Sequence, residues 1–222
     1  MPLRDRANQV NHLLERLYPE AKCELRYETP LQLLIATILS AQCTDTRVNQ
    51  VTPRLFAKCQ TCEDFANSQE GELETMIQST GFFRNKAANI RNCCAQLLEK
   101  HGGQVPDTME DLVALPGVGR KTANVVLGNA FGKPGLPVDT HVTRLSYRLG
   151  FTEQKNPVKI ELDLHQLFPP QEWTMLGHRL IFHGRRICSS RSPKCDECQL
   201  SSLCPKKGVA AKKLKTKSPK GK

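Results

Sequence analysis

Apolar residues recur at helical spacing along most of this chain. Val10, Leu13, Leu14 and Leu17 mark one face of a helix behind the charged start Arg4, Asp5 and Arg6. Residues 33–39, Leu-Leu-Ile-Ala-Thr-Ile-Leu, predict a helix buried on all sides. That stretch is far below the roughly 20 residues that cross a bilayer, so a core position is expected. Residues 84–101 place Ala87, Ile90, Cys94, Leu97 and Leu98 on one stripe and stop at Gly102 and Gly103, where a left-handed cap forms easily. The spans 109–114, 121–130, 141–149, 157–168 and 172–184 repeat the pattern, and no sustained two-residue alternation predicts a strand. The expected fold is all-α. No internal repeat or interior low-complexity linker divides the body.

A chain of 222 residues can bury a substantial core, as one unit or as two small lobes. The N-terminus has no apolar signal core, which predicts a soluble protein of the cytoplasm, with no membrane association. In that compartment the cysteines outside the C-terminal group, Cys23, Cys43, Cys59, Cys62, Cys93 and Cys94, are expected to be reduced thiols. Cys59 and Cys62 form a CxxC, but no second pair lies close by and no βαβ pattern surrounds it. Cys188, Cys195, Cys198 and Cys204 are different. Their C-x6-C-x2-C-x5-C spacing gathers four thiolates in one short loop, as a tetrahedral metal or an iron–sulfur cluster requires. Spacing alone leaves zinc and iron–sulfur both open.

The formal net charge is +10, and eight lysines after Cys204 (206, 207, 212, 213, 215, 217, 220 and 222) carry most of it. Subtracting them leaves +2 for the body. With its glycine, proline, serine and threonine and no apolar period, the segment 205–222 is expected to be a disordered tail that attracts phosphate backbones without reading sequence. A nucleic-acid surface on the body then depends on local clustering, with Arg185, Arg186, Arg191 and Lys194 as candidates in or beside the cysteine loop.

One turn carries candidate chemistry. Residues 109–115 and 121 onward read as two helices joined by Pro116, Gly117, Val118 and Gly119. The glycines allow close backbone approach, and the amides opening the second helix make a phosphate seat. A purely structural helix–turn–helix would also use glycine. Lys121, however, stands in the first helical turn, where the macrodipole favours anions, and such a broken local rule marks a candidate nucleophile. Downstream, Asp139 is placed either to cap the next helix or to serve as a carboxylate beside the lysine, stabilising positive charge or moving protons.

Residues 115–123 (LPGVGRKTA), 138–141 (VDTH) and 40–45 (SAQCTD), followed by the four-cysteine loop, closely resemble the endonuclease III family of the helix-hairpin-helix DNA glycosylase superfamily. The resemblance runs from the first helix to Cys204. It implies two helical lobes around a DNA-binding cleft, residues 1–22 with 134–204 and residues 23–133, and a [4Fe–4S] cluster on the four cysteines. It makes Lys121 the nucleophile and Asp139 the catalytic carboxylate. Gln42 matches the residue that fills the gap left by an extruded base, Asp45 a second acid near the site, and Phe82 the apolar wedge, usually leucine. Gly117, Val118 and Gly119 are expected to meet the DNA backbone, as are Arg191 and Lys194. The implied protein is a monomer that removes oxidised pyrimidines from duplex DNA and cleaves at the abasic site. A related adenine glycosylase for mismatches lacks the lysine. The alternative from another class is a DNA-binding module without catalysis.

Overall fold

The computed structural model describes residues 1–209, so most of the expected lysine-rich tail, 210–222, lies outside the described residues. Among these are eleven α-helices, two short 3-10 turns (Gln78–Thr80 and Pro170–Glu172) and no strand. The helices are α1 (Leu3–Leu17), α2 (Pro30–Leu39), α3 (Asp45–Lys58), α4 (Cys62–Ala66), α5 (Glu72–Ile77), α6 (Phe83–His101), α7 (Met109–Val113), α8 (Arg120–Ala130), α9 (Thr140–Arg148), α10 (Pro157–Leu167) and α11 (Trp173–Arg186).

Local chemistry sets their ends. The side chains of Thr29, Thr44, Thr61, Thr108, Asp139 and Asn156 cap α2, α3, α4, α7, α9 and α10, each accepting from an amide of the first turn. Gly102 and Gly103, both with positive φ, stop α6 where the sequence predicts. The helices α3, α4 and α5 go beyond the sequence expectation. Pro53 interrupts the hydrogen-bond ladder inside α3, while α4 and α5 are too short to display a period.

The buried side chains form two cores. The first is built from residues between Leu25 and Phe131, around α2, which is apolar on every side and buried from Leu33 to Leu39. The second combines α1 with residues from Leu136 to Leu200. Few but specific polar links join the two. Arg120 of α8 makes a bidentate pair with the buried Glu161 of α10, at 2.8 Å through both nitrogens. His178 Nε2 lies 2.9 Å from Asn129 Oδ1, and Arg185 of α11 pairs with Glu24 and Asp45.

The expected tail starts too early. Lys207 donates its amide to the Arg148 carbonyl and pairs with Glu153, and Gly208 lies against the Tyr147 ring. Residues 205–209 therefore belong to the packed body, because these backbone and ionic partners on and beside α9 hold them. No described helix is long and apolar enough to cross a membrane.

Candidate active site

The loop from α7 to α8 shows why it is built from two glycines. Gly117 has φ +76, and a Cβ there would come within 2.8 Å of Asn89, so the turn itself excludes a side chain. Val118 is buried and plugs the hairpin into the first core. Gly119 is another case: its φ of −90 and ψ of 171 suit any residue, and a Cβ would meet nothing within 4 Å. Neither φ nor space demands glycine at 119; it stands at the N-cap of α8, where glycine is favoured over larger apolar residues, and its open face also permits close approach from outside the chain. The helix that follows has no side-chain cap, so its first amides are open to water or to an external anion.

Lys121 is the second residue of α8 and is exposed. It lines a cleft of about 770 Å³ between the two cores, together with Gln42, Asp45 and Val125 on one side and Asp139, His141, His178 and Arg185 on the other. Asp139, half-buried, caps α9: its Oδ1 accepts the amides of His141 and Val142, each at 2.8 Å. The capping use weighed from sequence is the one these bonds show. The capping bonds fix the carboxylate at the wall of the cleft that also holds Lys121.

Around them sits a set of groups that the sequence did not single out. His141 Nδ1 lies 3.1 Å from Arg144 Nη2, and Arg144 reaches on to the carbonyls of Gly184 and Cys188 at 3.0 Å each. Burial holds the His141 imidazole below its usual range; Asp139 opposes this, while Arg144 and Arg185 add to it. His178, buried on α11, also lines the cleft. A lone histidine on an amphipathic helix carries no sequence signal of such a role. The VDTH motif did contain His141.

Not every expected residue reaches the cleft. Phe82 stands outside its lining, 64% exposed, with a left-handed backbone of φ 48. Gln42 shares that conformation at φ 53. Such backbone strain in residues with a Cβ gathers at ligand-contacting sites. Arg191 and Lys194 are exposed on the cysteine loop, away from the cleft. Arg185 and Arg186 do not extend that basic surface, because each is engaged: Arg185 by Glu24 and Asp45, Arg186 by Glu20 and the rings of Tyr18 and Phe182.

The four loop cysteines line one small cavity, with Leu145, Leu149, Ile187, Leu200 and Val209 among its apolar walls, and none is in a disulfide. Burial pushes the Cys198 and Cys204 thiols up. Nitrogen atoms lie close to three of the sulfurs. Arg148 Nη1 is 3.3 Å from Cys188 Sγ, the Lys206 amide 3.3 Å from Cys204 Sγ, and His183 Nε2 3.5 Å from Cys198 Sγ. Among the described residues no group of three or more His, Cys, Asp or Glu is gathered around a single metal-ion position.

The whole chain, and not the site alone, resembles known proteins. Residues 35–170 match the HhH-GPD superfamily of base excision DNA repair proteins. The chain is 53% identical to endonuclease III of Synechocystis sp. over 91% of its own length and 93% of the relative's. It is 46% identical to endonuclease III of Bacillus subtilis, over 88% and 91% respectively. A solved structure of a trapped endonuclease III–DNA covalent intermediate, in an estranged-adenine complex, superposes with a TM-score of 0.88 and 45% identity, covering 93% of this chain and 97% of that one. The chain belongs to the HhH-GPD superfamily of base excision DNA repair proteins and, within it, to the endonuclease III family.

Proposed function

We propose that this protein is a bifunctional DNA glycosylase and abasic-site lyase of base excision repair that removes oxidised pyrimidines, with Lys121 as nucleophile. The observation that carries the assignment is Lys121 and Asp139 lining one cleft between the cores. A pyrimidine must leave the helical stack to enter such a cleft, and damage that weakens stacking makes this easier. The neutral Lys121 amine attacks C1′ of the sugar; the bond from C1′ to the base breaks, and the base departs with the electron pair and gains a proton. Loss of the amine proton and opening of the sugar leave an imine. Removal of a C2′ proton then breaks the C3′–O bond, releasing the 3′ phosphate. Asp139 moves protons and stabilises positive charge, and the capping amides keep it in place.

The two cores support a division into lobes of residues 1–22 with 134–204 and residues 23–133. Gln42 and Phe82 enter the duplex beside the extruded nucleotide, Gln42 in the vacated gap and Phe82 as a wedge. Asp45 braces the cleft through Arg185 at 3.3 Å. Gly117, Val118 and Gly119 present the hairpin amides to phosphate, and Arg191 and Lys194 reach phosphates from the cysteine loop. Cys188, Cys195, Cys198 and Cys204 hold a [4Fe–4S] cluster. Four thiols ringing a cavity, with the Arg148 guanidinium and the Lys206 amide donating to two of the sulfurs, fit such an anionic group. When bound it cross-links the loop that carries Arg191 and Lys194.

Borohydride reduction during reaction with a thymine-glycol duplex tests the assignment. A covalent protein–DNA adduct is expected from the unaltered chain and none from Lys121→Gln, which still binds DNA. An undiminished adduct in that variant would assign the chemistry to another amine.

A further inference from the structure

Lys86 is buried, and the chemistry above does not use it. It lies near the start of α6, 4% exposed, and its ammonium donates to the main-chain carbonyls of Leu39 and Thr80, each at 2.8 Å. Leu39 is the last residue of α2 and Thr80 the last of the first 3-10 turn. One cation therefore closes the carbonyl ends of two separate elements, where helix dipoles favour positive charge. Burial pulls the ammonium below its usual range, with Cys43 partly opposing. An apolar side chain of similar length, such as methionine, would fill the space without that desolvation. Packing alone gives no reason for lysine at this position.

A reason appears just downstream of each carbonyl. Gln42 follows Leu39 by three residues and Phe82 follows Thr80 by two. These are two of the three non-glycine residues with positive φ among the described residues, Lys206 being the third. The two turns are far apart in sequence, and among the described residues no backbone hydrogen bond joins them directly. Each is instead fastened to the same nitrogen.

We propose that Lys86 is a positioning residue that locks the Gln42 turn to the Phe82 turn, so that both side chains enter duplex DNA as one rigid unit. The proposal rests on the assignment of Gln42 and Phe82 as DNA-inserting residues. Its consequence is a dependence on substrate form. Duplex DNA must be held open around the extruded nucleotide, whereas a single strand has no opposing stack to part.

The test compares borohydride-trapping rates on an abasic site placed in a duplex and in a single strand. Lys86→Met, shown to be folded by its helical circular dichroism and iron content, should lose roughly ten- to a hundredfold on the duplex, the scale of a misplacement near 1 Å. It should keep its single-strand rate. An unchanged duplex rate, or an equal fall on both substrates, overturns the proposal. Gln42→Ala and Phe82→Ala, measured alongside, separate the two ideas. If neither slows the duplex reaction, the insertion assignment fails; if both do and Lys86→Met does not, only the role of Lys86 fails. Hydrogen exchange on the unaltered chain decides the matter if the methionine variant does not fold. Amides of residues 40–45 and 80–83 should open with one common free energy and gain protection together on an abasic duplex, and independent openings would overturn the lock.

Discussion

Asp139 caps α9 and is proposed as the catalytic carboxylate, and two substitutions separate these roles. Its Oδ1 holds the amides of His141 and Val142 at 2.8 Å, so it caps α9, and its carboxylate lines the cleft with Lys121. Asparagine caps a helix as well as aspartate does, so Asp139→Asn retains both bonds and removes only the acid. Alanine removes the cap too, at a cost of about 1–2 kcal/mol. In a protein of this size that lowers Tm by about 2–8 °C. Proton transfer and charge stabilisation contribute about 10²–10⁴ in rate, which is about 2.7–5.4 kcal/mol of barrier. Single-turnover cleavage of a thymine-glycol duplex should therefore fall by a similar factor in both variants, while melting followed by circular dichroism should fall in the alanine variant alone. An asparagine variant within threefold of the unaltered rate would reduce Asp139 to a cap. An alanine variant with an unshifted Tm would show instead that the cap contributes nothing.

Gly119→Val should lower Tm only by the modest cost of valine in place of glycine at the N-cap of α8, because the backbone angles and open surroundings accept a side chain, yet weaken binding to abasic-site DNA in every sequence context; equal affinity would remove the hairpin from the interface. Protein purified without oxygen should be brown with about four irons per chain, and Cys198→Ala should be poorly soluble or unstable. Zinc without iron, or a well-folded Cys198→Ala that lacks only cleavage, would contradict the cluster or its structural role. Deleting residues 210–222 should flatten the log–log salt dependence of DNA binding by a few units, at roughly 0.9 for each phosphate that the tail would otherwise neutralise, and an unaltered slope would leave the tail's lysines merely solvated.

Periodicity, capping chemistry and ligand spacing are local, and what rests on them was legible in the chain. Ala87, Ile90, Cys94 and Leu97 marked the buried stripe of α6, and Gly102 and Gly103 its end. The Pro116–Gly119 turn located the hairpin, and the cysteine spacing located the loop. Asp139 could be seen as a cap or as an acid, and it is positioned to be both. Only the tertiary structure decided what depends on distant segments meeting. It joined α1 to the C-terminal helices in one core, set α8 against α9 and α11 across the cleft, and neutralised Arg185 and Arg186 with Glu24, Asp45 and Glu20. It also buried Lys86, which by composition would be a surface lysine, because its ammonium has carbonyl partners 47 and 6 residues away that no local pattern records. A side chain's period states which face it occupies; the energy of its charge depends on which carbonyls and carboxylates the fold brings within about 3 Å of it.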